Sequence, residues 1–335
     1  MRILIVSDAW FPQVNGVVRT LSAVVDLLRA EGDTVEVIGP DRFHSLPMPG
    51  YAEIRLAVAP SARLRRLVDA FAPEAVHIAT EGPLGWAMRS LCRKRRWPFT
   101  TAFHTRFPEY LEARTRIPAR WSWRLMRRFH EAGAGTFAAT ATLRDELAAR
   151  GFTKVRPWTR GVDTSRFRPG DRGAWDGLPR PIFLYAGRVA VEKNIEAFLA
   201  LDLPGTKVVV GDGPALAELK RRFPDAIYTG YRENGALVSA YAGADVFVFP
   251  SRTDTFGLVL LEALASGTPV AAFPVMGPKD VVTDPRIGAL DEDLRTACLL
   301  ALDGDRDACR RHAEAWSWQA CAAQFRATLV QVGAG

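Results

Sequence analysis

The sequence predicts an α/β protein made of two doubly wound, Rossmann-like parallel sheets, and three observations carry that prediction. The chain has 335 residues, which at roughly 100–200 residues per domain makes two domains, each large enough for its own core. Short apolar runs of strand length recur in both halves, and stretches of helical periodicity separate them. Between the two series lies a Pro-, Gly- and Arg-rich segment, Gly161 to Pro181, without sustained periodicity, which reads as the connection between domains.

The elements follow in order. Ile3-Leu4-Ile5-Val6 is a buried strand, and Leu21, Val24, Val25 and Leu28 recur at i, i+3, i+4 and i+7 as one face of a helix. The loop PQVNGVV lies between them, and a second strand at Thr34 to Ile38 completes a βαβ unit. Val76-His77-Ile78 and Phe99 to Phe103 are further short strands, each with a helical stretch before it. In the second half, Ile182 to Ala186 ends at Gly187, Lys207 to Val210 ends at Gly211, and Val246 to Phe249 ends at Pro250. A tail helix around Trp316, Trp318, Phe325 and Leu329 has an apolar side that suits either domain. The expected division is 1–165, 166–312 and a C-terminal helix in 313–335, for which packing back on the first domain is one arrangement. Two such domains facing one another would place a ligand cleft at the carboxyl ends of their strands, so function is sought in the loops that follow them.

Composition bounds the function. With 48% hydrophobic and 24% charged residues the chain is globular, and no run approaches the ~20 apolar residues of a membrane span. The start, MRILIVSDAW, lacks a cleavage site and is interrupted by Ser7 and Asp8, so no secretory signal is expected. Cys92, Cys298, Cys309 and Cys321 show no CxxC spacing, which indicates neither a zinc cage nor a disulfide framework and suits a reducing cytosol.

The net charge of +7 is uneven: residues 1–165 hold 25 Lys and Arg against 16 Asp and Glu, leaving 19 against 21 for the rest. An anionic partner surface is therefore expected on the first half. Its densest part, RTRIPARWSWRLMRR, carries Arg114, Arg116, Arg120, Arg124, Arg127 and Arg128 with Trp121 and Trp123. Arginine beside tryptophan suits a lipid headgroup layer, where the cation meets phosphate and the indole has an apolar body and a polar N–H. The competing reading is a solvated helix face with its tryptophans in the core. Arg93, Lys94, Arg95, Arg96 and Trp97 repeat the theme upstream. Nucleic acid is disfavoured, because no helix-turn-helix, zinc-finger or RNP pattern accompanies the charge.

Two loops of the second half carry the chemistry. AGRVAVEKN places Arg188 and Lys193 at a strand-to-helix transition, where free N–H groups and the helix dipole already favour phosphate; pairing with Glu192 and Glu196 on a surface helix is the plainer alternative. In SRTDTFGLVLLEALASGTPV, a loop Asp254 and a helical Glu262 flank amides at Phe256, Gly257 and Leu258 that can hold a diphosphate, the plainer alternative being a capping residue and a solvated Glu. Glu262 stands among Leu258, Val259, Leu260, Leu261, Ala263 and Leu264, where a bare carboxylate is costly, so it requires a partner such as a ribose hydroxyl. The acidic triplets at Asp291 and Asp303 are expected to be helix caps and solvated turns, and no metal is assigned.

Taken together, PQVNGVV, FHTRFPEY, RGVD at Arg160 to Asp163, GRVAVEKN, VVVGDGP, TGY at Thr229 to Tyr231 and SRTDTFGLVLLEALASGTPV resemble the retaining glycosyltransferases of family four, with the two-domain GT-B fold. The resemblance covers nearly the whole chain. It implies that Arg188 and Lys193 bind the donor diphosphate and stabilise the leaving group without a metal. It also implies that Glu262 accepts from the ribose, that the 256–258 amides hold phosphate or sugar oxygens, and that Asp254 touches hydroxyls of the transferred sugar. Asp254 departs from the commoner Glu, which leaves the donor sugar open. By the same resemblance Gly16 admits the diphosphate, with Asn15 beside it on the acceptor side. His104 then lies near the reacting sugar, while Glu81 reaches acceptor or donor and His77 is structural.

The implied activity is retaining transfer of a hexose from a UDP- or GDP-sugar to a membrane lipid such as diacylglycerol, giving an α-glycoside, at the cytoplasmic face of a membrane. The FPVMGPKDV segment adds to the likeness to bacterial enzymes that glycosylate glycerolipids. Extension of a lipopolysaccharide core or another polysaccharide is the alternative. The nucleotide-sugar is the co-substrate and no cofactor is expected. A nicotinamide oxidoreductase is disfavoured because the first turn, DAWFPQVNG, lacks GxGxxG, and a non-catalytic basic binding protein would be indifferent to loss of Arg188, Lys193 or Glu262.

Overall fold

A computed structural model describes residues 1–13, 15–48, 51–104 and 119–333, with only the backbone for 48 and 51–54. The chain forms two compact units, residues 1–160 with 318–335, and residues 161–317. The sequence limits at 165 and 312 fall a few residues from these.

In the first unit β1 (Arg2–Val6) lies second from one edge of a six-stranded sheet. The chain runs through α1 (Gly16–Ala30) to β2 (Thr34–Ile38), an antiparallel hairpin of β3 (Ser45–Met48) and β4 (Tyr51–Ala57), and α2 (Ser61–Phe71). It then crosses to β5 (Ala75–Ile78), α3 (Pro83–Arg95), β6 (Thr100–Ala102), α4 (Ala119–His130), β7 (Gly135–Ala138), α5 (Ala141–Ala149) and β8 (Val155–Pro157). The sheet order is β2-β1-β5-β6-β7-β8, every pair parallel. The second unit repeats the plan. It runs β9 (Ile182–Ala186), α6 (Ile195–Leu199), β10 (Thr206–Val210), α7 (Leu216–Arg222), β11 (Ile227–Gly230), α8 (Asn234–Gly243), β12 (Val246–Phe249), α9 (Leu258–Ala265), β13 (Val270–Ala272), α10 (Pro278–Val281), β14 (Gly288–Leu290), α11 (Leu294–Leu300) and α12 (Arg306–Glu314). Its sheet order is β11-β10-β9-β12-β13-β14, also all parallel.

Local chemistry explains the starts of these helices. Asn15 caps α1, its side-chain oxygen accepting from the amides of Val17 and Val18 at 3.0 Å each. Pro83 opens α3, and the first-turn amides of Leu84 and Gly85 donate to Asp8 at 2.9 and 3.2 Å. Asp293 and Asp305 cap α11 and α12, so one residue from each acidic triplet is spent on a helix start.

The 161–181 segment, read from the sequence as the connection between domains, is packed into the second unit: Phe167 and Trp175 are buried, the Phe167 ring meets Tyr241 at 5.9 Å, and the Trp175 indole donates to Ala240 O at 3.1 Å. The tail divides between the units. Trp316 packs its ring 5.5 Å from Phe256 in the second unit, whereas α13 (Trp318–Thr328) lies on α1, its Phe325 and Cys321 sharing a core with Leu21, Val24 and Leu28. Trp158 Nε1 donates to Cys321 O at 3.1 Å, and a guanidinium clamp completes the docking: Arg326 donates to buried Asp33 at 2.7 and 3.2 Å.

That clamp holds the Asp33 carboxyl below its ordinary range, first through the Arg326 hydrogen bonds. A depressed folded-state value means the stabilisation is present above the unfolded value of 3.8 and is lost as pH falls through the folded one. Asp33→Asn should therefore lower the urea midpoint at neutral pH, and its difference from wild type should shrink as pH drops below about 4. An equal difference at pH 7 and pH 3 would show that the clamp is not electrostatic.

Candidate functional site

In each sheet the strand order reverses beside the first strand, between β1 and β5 and between β9 and β12. Ligands of open α/β sheets bind outside the carboxyl ends at such a reversal. In the second unit the loops leaving that point are 187–194 and 250–257, which contain Arg188, Lys193 and Asp254.

These two loops are tied together. Lys193 Nζ meets Asp254 Oδ1 at 2.6 Å, Asn194 Nδ2 donates to Pro250 O at 3.0 Å, and Thr253 Oγ1 donates to Glu192 O at 3.4 Å. The surface-helix alternative for Lys193 thus gives way to a bridge between loops, and Glu196 pairs instead with Arg222. Arg188 is positioned through its carbonyl, which accepts from the buried Tyr185 hydroxyl at 2.7 Å. Burial, with the Asp254 and Glu192 charges nearby, pushes that phenol well above its usual range, so it stays a donor. Asp254 Oδ2 is shielded from solvent and has no hydrogen-bond partner among the described residues.

Gly257 precedes α9 at φ +89°, which favours glycine, and a Cβ there would come within 3.0 Å of Phe249. Phe256 is 4% exposed, so its side chain is not available to a ligand. Glu262, one turn into α9, is 3% exposed. One partner is Tyr241, whose hydroxyl donates to Oε2 at 3.1 Å and whose carbonyl accepts from Thr268. The sequence reading missed Tyr241, because no local pattern on α8 points to a residue 21 positions away.

In the first unit, Glu81 follows β5 and Gly16 opens α1 after β1. The Asn15 side chain is occupied in capping α1 and in donating to Gln13 Oε1 at 3.3 Å. His104 follows β6, its ring 5.7 Å from Trp158 and its Nε2 shielded from solvent. Burial first, then the charges of Arg160, His77 and His130, hold its pKa well below the ordinary value, so the imidazole is neutral at neutral pH. His77 is fully buried with Nδ1 2.9 Å from Thr100 Oγ1, and burial brings it down to about 3, in keeping with a structural residue. The second residue missed by sequence is His130, whose Nε2 donates to Glu81 Oε1 at 2.9 Å.

Comparison with known proteins now bears on this arrangement. Residues 14–166 match the model of Glycosyltransferase Family 4, and residues 180–303 that of Glycosyl transferases group 1. A GDP-mannose-dependent alpha-mannosyltransferase of Mycobacterium tuberculosis is 34% identical over 317 residues, 87% of this chain and 83% of its own. The chain belongs to glycosyltransferase family 4. An alpha-monoglucosyldiacylglycerol synthase of Streptococcus pneumoniae is 27% identical over 90% of this chain and 78% of its own. A sucrose-phosphate synthase from Thermosynechococcus elongatus superposes with a TM-score of 0.77 at 19% identity, covering 97% of each chain, and this likeness shows the GT-B fold.

The basic run of this glycosyltransferase divides by helix face. On α4, Arg120, Trp121, Arg124, Leu125, Arg127 and Arg128 are exposed, with Trp121 at 54% and Leu125 at 46%. Trp123 is a correction: at 7% exposure it stacks on Phe103 at 5.5 Å, under the Arg150 guanidinium at 4.0 Å, and cannot meet a membrane. Arg114 and Arg116 lie outside the described residues. Helices α2, α3 and α4 pack Leu64, Met88 and Phe129 into one cluster, so Arg65, Arg66, Arg93 and Lys94 are exposed on the helix layer that also bears the α4 arginines. Among the described residues no helix is long and apolar enough to cross a membrane.

Tyr241→Phe should remove one donor from a buried carboxylate and cost about 1–3 kcal/mol in urea unfolding. A variant as stable as wild type would show that the hydroxyl is dispensable to Glu262.

Proposed function

We propose that this chain moves a hexose from a UDP- or GDP-sugar to a membrane lipid such as diacylglycerol, with retention, giving an α-glycoside. The observation that carries the reading is the Lys193–Asp254 bridge, which sets a lysine beside a carboxylate whose second oxygen is shielded from solvent and has no hydrogen-bond partner among the described residues. Lys193 and Arg188 would neutralise the departing diphosphate, the work a metal does elsewhere. Asp254 Oδ2 would accept from the transferred sugar, and Glu262 would accept from the ribose while Tyr241 holds its other side. The 256–258 amides at the start of α9 would hold phosphate or sugar oxygens. The acceptor hydroxyl would attack on the face from which the diphosphate leaves and pass its proton to the departing phosphate, with neutral His104 beside the reacting sugar. Gly16 would let backbone approach the diphosphate.

The lipid half of the reading is supported by the exposed Trp121 and Leu125 among the α4 arginines, a composition suited to an anionic headgroup layer. It is also supported by the name of the pneumococcal relative, an alpha-monoglucosyldiacylglycerol synthase. On this reading the protein sits peripherally on the cytoplasmic leaflet and has no nucleic-acid partner.

Purified protein incubated with UDP- and GDP-sugars, diacylglycerol vesicles and chelator should yield one glycolipid by mass spectrometry. Lys193→Ala and Glu262→Ala should each lower kcat/KM about 100- to 1,000-fold. Absence of glycolipid with every donor, despite measurable nucleotide-sugar binding, would overturn the acceptor assignment. In vesicle sedimentation, Arg124→Glu with Arg128→Glu should weaken binding to anionic vesicles at least tenfold, at about 1 kcal/mol per charge, and added salt should abolish the difference. Equal binding to neutral vesicles would remove α4 from the membrane surface.

A further inference from the structure

We propose that His130 is a positioning residue that fixes Glu81 as the hydrogen-bond acceptor for a hydroxyl of the molecule receiving the sugar; the proposal rests on the glycosyl-transfer reading above. Glu81 is held from two sides. Its backbone stands in a segment fastened to buried Asp8. Asp8 N donates to Thr80 Oγ1 at 2.6 Å, Thr80 Oγ1 donates to Asp8 Oδ2 at 2.9 Å, and the amides of Leu84 and Gly85 donate to the same carboxylate. The fit leaves no slack: a Cβ on Gly82 would lie 2.3 Å from Asp8 Cγ, and one on Gly85 1.9 Å from Thr80 O.

The side chain is held by His130, which presents no surface to solvent. A carboxylate only accepts, so His130 Nε2 carries the proton of the 2.9 Å contact to Oε1. The ring is fixed in turn by Thr101 Oγ1, 2.8 Å from Nδ1, which itself meets Thr136 Oγ1 at 3.2 Å. Phe103, Phe129 and Phe152 surround it with centroids at 5.7, 5.1 and 5.9 Å, so the imidazole has no room to turn. What this framework leaves over is Glu81 Oε2. It has no partner among the described residues, and the side chain is 16% exposed. An acceptor atom is thus presented from a rigid support, on the loop after β5 at the reversal of the first sheet.

The charge of the site selects the ligand. The Glu81 carboxylate acts on the Asp8 carboxyl, and burial together with that repulsion raises the latter above its ordinary value. A phosphate would meet the same repulsion, while a neutral hydroxyl donates to Oε2 without it. The ligand is therefore a neutral hydroxyl, on this proposal the acceptor's, and not the diphosphate of the donor.

The test is steady-state kinetics with saturating donor and varied acceptor, then the reverse, for Glu81→Gln, His130→Phe, His130→Gln and the Glu81→Gln/His130→Phe pair. Glu81→Gln and His130→Phe should raise the acceptor KM about tenfold or more, as expected for a lost hydrogen bond to a charged group, and donor KM should move less than twofold. His130→Gln, which keeps an N–H donor, should recover part of the loss, and the double variant should be no worse than Glu81→Gln. An unchanged acceptor KM, an equal rise in donor KM, or additive effects in the double variant would overturn the proposal. If His130→Phe does not fold, Glu81→Gln and His130→Gln decide it alone. Turnover of a soluble saccharide in place of lipid would overturn the lipid reading only, since the same KM comparison on that saccharide tests Glu81. A wild-type protein that neither transfers sugar nor consumes any sugar nucleotide would overturn both.

Discussion

The reversal of strand order is the constraint on which the rest depends. A parallel pair requires a crossover, and crossovers are right-handed, so strands added on opposite sides of a first strand send their helices to opposite faces. The first unit shows this directly: α1 buries Leu21 and Val24 in one core, and α3 buries Leu84 and Met88 in the other. Connections that part in this way leave a crevice outside the carboxyl ends of β1 and β5. In the second unit α6 packs into the core containing Val246 and Val248 while α9 lies against α12, and the ends of β9 and β12 are opened likewise. The four loops that leave those strands therefore lie where ligands of open α/β sheets bind.

Opening a site also changes what a buried carboxylate costs. Glu262 occupies a helix that is otherwise apolar, and Asp254 Oδ2 is out of water, placements that the hydrophobic pattern alone would fill with leucine. Each has a protein partner: a phenol for Glu262, an ammonium for Asp254. The difference follows from position. The buried carboxylate has a neutral donor whose alignment is fixed by packing, whereas the loop carboxylate has a mobile cation that a diphosphate can also attract.

Much of this was legible in the sequence, and the limits have physical causes. The strands at Ile3, Ile182 and Val246 were plain because they are buried on both faces and read as continuous apolar runs, while those at Thr34 and Lys207 showed through their buried valines. β8 and β14, three residues each and partly exposed, carry no such signal. The 161–181 segment looked like a linker because Pro and Gly dominate its local conformation, yet two aromatic anchors 8 residues apart, Phe167 and Trp175, fold it onto the second unit. Candidate residues carried by a motif, such as Lys193 and Glu262, were named from the sequence. Tyr241 and His130 were not, since each acts on a residue far along the chain, 21 positions in one case and 49 in the other.

The two tryptophans of α4 show why composition could not assign the basic helix a surface. Residues two apart on a helix differ by about 200° in direction, so Trp121 and Trp123 must face opposite ways. Trp123, Met126 and Phe129 follow the helical period into the core, which leaves Trp121 and Leu125, four apart, side by side in solvent. Arg120 and Arg124 lie over the Trp121 ring at 5.9 and 5.1 Å. One indole and one leucine offer too little apolar area to hold a protein in a bilayer, and arginines alone would bind any polyanion. Together they suit a shallow, charge-dependent contact, in which long-range attraction brings the helix to the headgroups and the apolar pair sets its depth. A contact of that strength is reversible, which is what an enzyme needs if it must reach acceptors spread through a membrane and still exchange its nucleotide with water.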